Sequence, residues 1–205
     1  MKTAKVGDYL FFGAYEQDNN NLNGKEDVEW LVLAKEGNKV LVISKYALDC
    51  QQYNTSCANI TWETCPLRRC LNGTFINNAF SAEEQAMIST VTVSADKNPD
   101  YSTDPGNATQ DKVFLLSITE ANQYFTSDEA RKCAPTDYAI AQGAYTNDWY
   151  KAGGRATCWW RLRSPGYDQT FAAEVSSDGD VSGLGTSVTL DITAVRPALW
   201  ITLDS

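Results

Sequence analysis

Apolar positions in the first fifth of the chain come in short solid runs and alternations, the spacing of strands and not of helices. Residues 9–15, Tyr-Leu-Phe-Phe-Gly-Ala-Tyr, predict a strand buried over most of its surface, and the Asp- and Asn-rich residues 18–24 predict a loop. Residues 29–34 and 39–44 are two apolar runs on either side of Glu36-Gly37-Asn38 and predict a hairpin. The period then changes. Residues 61–71 place Trp62, Leu67 and Leu71 near one helical face, with Pro66 tolerable only in the first turn and Asn72-Gly73 as a stop. Ser81 followed by Glu84 is a capping-box pattern that opens a helix over residues 81–88. Strand-like residues 91–93 and 113–116 enclose a polar stretch, 94–111, that reads as an exposed loop. Helices are expected again over 120–125 and, after Pro135, over 136–142.

After Gly153-Gly154 the texture becomes short strands separated by turns, at residues 156–162, 170–175, 180–181, 188–193 and 198–203. Ser177-Asp178-Gly179-Asp180 is a turn sequence, and Gly183 and Gly185 permit further reversals. These elements predict an α+β domain, mainly antiparallel sheet with packed helices and a loop-rich C-terminal third. The 205 residues contain no repeat and no linker long enough to divide them, so one domain over 1–205 is expected, with residues 159–203 as its ligand-display part. The strand at 9–15 is expected to pair with the one at 198–203.

Charge narrows the partners. The net charge is −9 and no stripe of Lys and Arg is present, so nucleic acid or anionic lipid would bind against the protein's own field. No run of eighteen apolar residues occurs and the N-terminus carries no visible signal peptide, so no membrane span is expected. Cys50, Cys57, Cys65, Cys70, Cys133 and Cys158 form an even set, and both disulfides and buried free thiols are open to them. With no histidine and no pair of Cys-x-x-Cys knuckles, a zinc site is not expected. The missing histidine also removes Ser-His and Cys-His nucleophile pairs, and no phosphate- or dinucleotide-binding fingerprint is found. Asp178 and Asp180 resemble half of a calcium loop, but no further oxygen ligands follow at the needed spacing, so they read as a turn. No catalytic residue, metal or cofactor is assigned.

Trp159 and Trp160 stand next to each other in a strand-like segment, so their side chains point to opposite faces. Both can complete apolar layers, or one anchors the core while the other is a stacking platform for a sugar or aromatic ligand; Trp160 is the ligand-side candidate. Arg163 and Arg196, each close to a proline and between apolar segments, read as structural arginines that hold loop carbonyls or a carboxylate.

Several strings together resemble a family signature. They are Tyr46-Ala47-Leu48-Asp49-Cys50, Thr61-Trp62-Glu63-Thr64-Cys65-Pro66-Leu67-Arg68-Arg69, Leu71-Asn72-Gly73, Val113-Phe114-Leu115-Leu116-Ser117, Leu162-Arg163-Ser164-Pro165-Gly166 and Val195-Arg196-Pro197-Ala198-Leu199-Trp200-Ile201. The signature is similar to that of a bacterial and phage domain family of uncharacterised function, which resembles the formylglycine-generating-enzyme branch of the C-type lectin fold. Arg161 and Cys70 depart from its pattern. Members of this fold serve as the variable proteins of diversity-generating retroelements, which randomise adenines in codons for a C-terminal binding surface. The resemblance implies a C-type-lectin-like scaffold that recognises a protein or carbohydrate on another surface and rides on a virion or a bacterial cell. One compositional feature fits. Residues 175–193 contain no Lys, Glu, Gln, Met or Trp, the five residues that randomising the adenines of an Asn codon does not produce.

The implied contact residues are Tyr167, Asp168, Thr170, Phe171, Ser176, Ser177, Asp180, Ser182, Leu184, Thr186 and Asp191, together with Trp160. Tyr167 and Phe171 are expected to contribute most, as aromatic side chains bring large contact area at small entropic cost. The enzymatic branch of the resemblance is the alternative. It implies a late pair of cysteines holding copper, and only Cys158 lies in the last third.

Overall fold

The computed structural model describes residues 4–203. It is an α+β domain of mostly antiparallel sheets and short helices. In chain order the strands are β1 (Tyr9–Tyr15), β2 (Glu26–Glu36), β3 (Lys39–Ser44), β4 (Asp49–Cys50), β5 (Val91–Val93), β6 (Thr109–Asp111), β7 (Val113–Phe114), β8 (Thr146–Ala152), β9 (Arg155–Cys158), β10 (Trp160–Pro165), β11 (Phe171–Val175), β12 (Val181–Ser187), β13 (Ala194–Val195) and β14 (Ala198–Thr202). The helices are α1 (Pro66–Cys70), α2 (Ile76–Ala79), α3 (Ala82–Met87), α4 (Ile118–Tyr124), α5 (Asp128–Arg131) and α6 (Asp137–Ala141).

One five-stranded sheet runs β1-β2-β3-β14-β7, and its pairings are all antiparallel. The expected hairpin is β2–β3, closed at Gly37. The expected pairing of the first strand with the last does not occur: β1 pairs with β2, and β14 lies between β3 and β7. Burial explains the order. Val40, Leu41, Val42 and Ile43 are all buried, so β3 needs neighbours on both sides and takes the interior of the sheet, while β1 turns Tyr9 and Phe11 to solvent and suits an edge. Trp30 is fully buried in this sheet and donates its indole N–H to the Phe12 carbonyl at 2.7 Å, which ties the edge strand to the core.

The second five-stranded sheet runs β12-β11-β10-β13-β4. Its one parallel contact is Trp160 opposite Ala194, and the rest is antiparallel with register breaks in β10–β11 and β11–β12. Sequence divides the C-terminal third differently from this structure. The expected strand 156–162 is split at Trp159 into β9 and β10, the strand expected at 188–193 is turn and loop, and β8 pairs with β9 as an unexpected hairpin.

The central helices follow their caps. Helix α1 starts at Pro66, with the Cys65 thiol as its cap, and Asn72-Gly73 does not stop it; a π-helical turn over Leu71–Phe75 carries the chain into α2. Asn72 accounts for this. Its amide donates to the Arg68 and Val113 carbonyls and its oxygen accepts the Lys112 and Val113 amides, so the residue binds β7 in place of ending the helix. Trp62, Leu67 and Leu71 are all buried, but residues 61–65 form a turn, so Trp62 packs from ahead of the helix and not from its face. The Ser81–Glu84 capping box forms, and a second one, Ser117–Glu120, opens α4 two residues before the expected start. The polar stretch after β5 is a loop except at its end, where β6 pairs back on β5.

Close backbone approach makes one glycine obligatory. At Gly179 φ is +93° and an added Cβ would sit 1.8 Å from the Asp128 carbonyl oxygen of α5. Gly37, at φ +59°, faces open space. Urea unfolding should therefore separate the two sites: Gly179→Ala is expected to lose roughly 3 kcal/mol or more, and Gly37→Ala only the roughly 1–2 kcal/mol of left-handed backbone strain. Equal losses would contradict the packing of α5 on the 176–180 turn.

Candidate functional site

Strands β10, β11 and β12 and the turns that join and follow them carry the residues singled out for display, and the structure sorts them into three groups. The first is a surface cluster. Tyr167 (45% exposed), the half-buried Phe171 and Leu184 (53% exposed) come together with Tyr101 (37% exposed), which arrives from the long polar loop. The Tyr167 and Phe171 rings are 4.5 Å apart and tilted, and Tyr101 meets Tyr167 edge-on at 6.2 Å. The Tyr167 amide donates to the Leu184 carbonyl at 3.1 Å, so the two residues sit side by side. Three exposed carboxylates, Asp100, Asp104 and Asp168, belong to the same two loops. The amide and then the hydroxyl of Thr170 donate to Asp168, both at 2.8 Å, and hold its carboxyl below the usual range.

Backbone contacts hold this cluster without using its side chains. Asn98, itself buried, donates to the Pro165 and Gly183 carbonyls at 2.8 Å each, and the Thr103 hydroxyl donates to the Gly166 carbonyl at 2.6 Å. Gln169 stitches the loop down from the other side: its amide donates to the Ile60 and Asp104 carbonyls, and its oxygen accepts the Asp104 amide. Gly166 accommodates the close approach, since a Cβ there would lie 2.6 Å from the Leu184 carbonyl oxygen. Tyr101 is the member that sequence reasoning missed. Its signal is an aromatic residue isolated in an Asp-, Pro- and Ser-rich loop, where no local apolar partner accounts for it.

The second group forms the far turn of β11–β12. Ser176 donates its amide to the Asp180 carbonyl at 2.8 Å, and Asp180 is exposed, as expected of a turn. Ser182 is half-buried, and its hydroxyl accepts the Gly185 amide. Ser177 is a correction: it is buried, its carbonyl accepts the Thr157 hydroxyl at 2.7 Å, and its own hydroxyl accepts from Asn147. Asp191 is exposed, but its carbonyl partners the Cys50 thiol, away from the aromatic cluster.

The third group belongs to the interior. Trp160 is fully buried, donating its indole N–H to the Arg131 carbonyl at 3.1 Å with Arg196 stacked 5.0 Å from its ring, so it is a core residue and not a ligand contact. Its neighbour Trp159 is the half-exposed one, and it packs on Tyr145 at 4.9 Å. The alternation of a strand is respected, but the faces are the reverse of the expected ones. Thr186 is likewise committed to the fold, its hydroxyl donating to Glu174 and accepting from Arg161. Burial holds the Glu174 carboxyl above its usual range, opposed by Thr186, Arg161 and Thr193.

Other polar groups are used structurally. Arg163 donates to the Ser94 and Leu115 carbonyls and pairs with Glu120 and Asp96. Arg196 donates to the Ser44 carbonyl. A cleft of about 390 Å³ beside β1 is lined by Lys25 and Glu84 among others, but Lys25 donates to the Asn78 carbonyl and Glu84 accepts the Gly13 and Ser81 amides. One trio of carboxylates, Glu16, Asp18 and Glu26, converges within 4.8 Å, and it accepts the amides of Gln17, Asp18 and Asn20. Among the described residues no helix is long and apolar enough to cross a membrane.

The thiols need one revision. Cys158 does not stand alone, because tertiary folding brings Cys133 beside it: the Cys158 amide donates to the Cys133 carbonyl at 2.9 Å, while the Cys133 thiol donates to the Lys45 and Ala134 carbonyls at 3.6 and 3.5 Å. Both are fully buried.

The fold and this surface define an α+β domain that presents an aromatic cluster on a hydrogen-bonded loop frame. Residues 37–203 match a domain of unknown function, DUF6273, and the chain belongs to that family. No curated protein and no solved structure matches the chain.

Two substitutions test the sorting. Trp160→Ala should destabilise the domain by about 3–5 kcal/mol in urea unfolding, against less than about 1 kcal/mol for Leu184→Ala. The second test uses pH. A carboxyl raised in the folded state binds its proton more tightly there than in the unfolded chain, so wild-type stability falls as pH rises through the carboxylate range, and Glu174→Gln lacks that loss. The stability of the variant relative to wild type is expected to improve between about pH 4 and pH 7, and a difference independent of pH would remove the buried-carboxyl assignment.

Proposed function

We propose that this domain is a non-catalytic recognition module with a C-type-lectin-like fold, the variable protein of a diversity-generating retroelement. Its contact surface centres on Tyr167, Phe171, Leu184 and Tyr101. The observation that carries this reading is the separation of frame from surface: backbone and buried amide groups hold the loops, while the exposed side chains make few contacts that the fold requires. Such positions tolerate substitution without opening the core. Asp168, Asp180, Ser176 and Ser182 extend the changeable surface along β11 and β12, and Asp191 is a separate exposed position. Aromatic rings flanked by carboxylates suit a protein or carbohydrate ligand on a virion or cell surface.

The enzymatic alternative is a copper oxidase that uses a thiol pair. Cys133 and Cys158 supply two sulfurs, but both are buried and neither lines a described cleft, so the closed fold gives no copper site that a peptide substrate can reach. The residues do not fit that chemistry. Copper loading followed by oxygen uptake with a thiol peptide is expected to give no turnover, and sustained uptake would replace the recognition reading.

The genetic test is direct. The neighbouring DNA should encode a reverse transcriptase and a near-copy of the 3′ coding segment whose mismatches fall at template adenines in codons for the exposed positions. Mismatches at buried positions such as Ala173 or Val175 would overturn the surface assignment. In the protein, Tyr101→Ser, Tyr167→Ser and Leu184→Ser combined should leave Tm within about 5 °C of wild type. The same triple variant should weaken any ligand found on a glycan or phage-receptor panel by roughly 30-fold or more.

A further inference from the structure

The hairpin β8–β9 stands out from the domain. Trp149, in its bulge, is 92% exposed, and Asp148 and Lys151 beside it are solvent-facing. Its base is different. Thr157 and Cys158 are fully buried, and Cys158 lies against Cys133, which sits between α5 and α6. The chain between these cysteines is therefore a loop that leaves the core at one and returns at the other, held there by the Cys158 amide on the Cys133 carbonyl, which puts the two residues on neighbouring backbone positions.

We propose that Cys133 and Cys158 are a dithiol site that closes to a disulfide on meeting a glutathione-type disulfide, locking the base of the β8–β9 hairpin to the core. The remaining thiols are placed otherwise. Cys57 is exposed, the Cys65 thiol caps α1 by accepting the Arg68 amide at 3.3 Å, and the Cys50 thiol donates to the Asp191 carbonyl at 3.1 Å. Burial pushes the Cys133 thiol up, but the Cys158 thiol, the Arg196 guanidinium and the Ala47 amide outweigh it and bring Cys133 below the ordinary thiol range. Burial and the Cys133 sulfur push Cys158 up. In the closed fold Cys133 is thus the more acidic thiol of the two.

The exchange balances without another reactant. The Cys133 thiolate attacks one sulfur of the external disulfide RSSR, breaking that S–S bond, forming a mixed disulfide and releasing RS⁻, which takes up a proton. Cys158 then loses its proton and attacks the Cys133 sulfur, expelling the second RS⁻. Two protein S–H bonds become one S–S bond, and RSSR is reduced to two RSH. Because both sulfurs are buried, the attack proceeds from a locally opened hairpin and not from the closed fold.

The test uses the full chain in buffers of oxidised and reduced glutathione, quenched with acid and read by intact mass and non-reducing tryptic mapping. Oxidation should remove about 2 Da and link the peptide 133–151 to the peptide 156–161, which trypsin separates in the reduced protein. Closing this loop should raise Tm on the order of 10 °C over the reduced form. Cys133→Ser and Cys158→Ser should each abolish the cross-link. Should either variant fail to fold, the wild-type map still decides. A link from Cys158 to Cys50, stable glutathione adducts on either cysteine, or both thiols still alkylatable on unfolding after oxidation each overturn the proposal.

Discussion

Buried guanidinium groups bonded to backbone carbonyls of strands and loops are the interaction on which this structure depends. The strands of the second sheet are short and break register, so many carbonyls inside the domain have no ladder partner, and an unpaired buried carbonyl is costly. Four buried arginines supply the missing donors. Arg131 reaches Gly179, Arg161 reaches Ala172, Thr186 and Ser187, Arg163 reaches Ser94 and Leu115, and Arg196 reaches Ser44. Each planar fork can serve two or three carbonyls from different segments, which a lysine cannot do with the same geometry. Charge is balanced differently at each. Arg163 has direct ion pairs with Glu120 and Asp96, whereas Arg161 faces Glu174 through the Thr186 and Thr193 hydroxyls, a less complete compensation consistent with the raised Glu174 carboxyl.

That arrangement links folding to the surface. Glu120 closes the capping box of α4 and also pairs with Arg163, and Arg163 is two residues before Pro165, whose carbonyl Asn98 holds. The long polar loop is thus anchored through the same segment that presents Tyr167. Two loops distant in sequence meet on a frame whose hydrogen bonds are made by backbone, Asn98, Thr103 and Gln169. The exposed rings are left free of structural duty, which is the physical condition that the proposed recognition surface requires.

The β8–β9 hairpin is the counterpart at another part of the molecule. It places Trp149 in solvent while its base enters the core through Thr157, whose hydroxyl donates to Ser177, and through Cys158. This explains why Ser177 is buried although it belongs to a turn: the hairpin base covers it. Mobility is expected at the exposed end, where few contacts hold the chain, and not at the base.

Local pattern determined a good part of this protein. The β2–β3 hairpin, the Ser81 cap, the burial of Trp62, Leu67 and Leu71 and the turn at Ser177–Asp180 were legible because each depends on residues close together in the chain; the structural role of Arg163 and Arg196 was legible from their apolar surroundings, but their partners are 43 to 152 residues away. Tertiary structure alone decided the rest. Which strand neighbours β3 depends on how much of each strand must be covered on both sides, which is why β14 and not β1 lies there. Strand alternation showed that Trp159 and Trp160 face opposite ways, but only the packing of Phe125 and Arg196 on one face determined that Trp160 is the buried one. Tyr101 joins Tyr167, and Cys133 joins Cys158, through contacts spanning tens of residues, and local spacing carries no information about which distant segments the core will bring together.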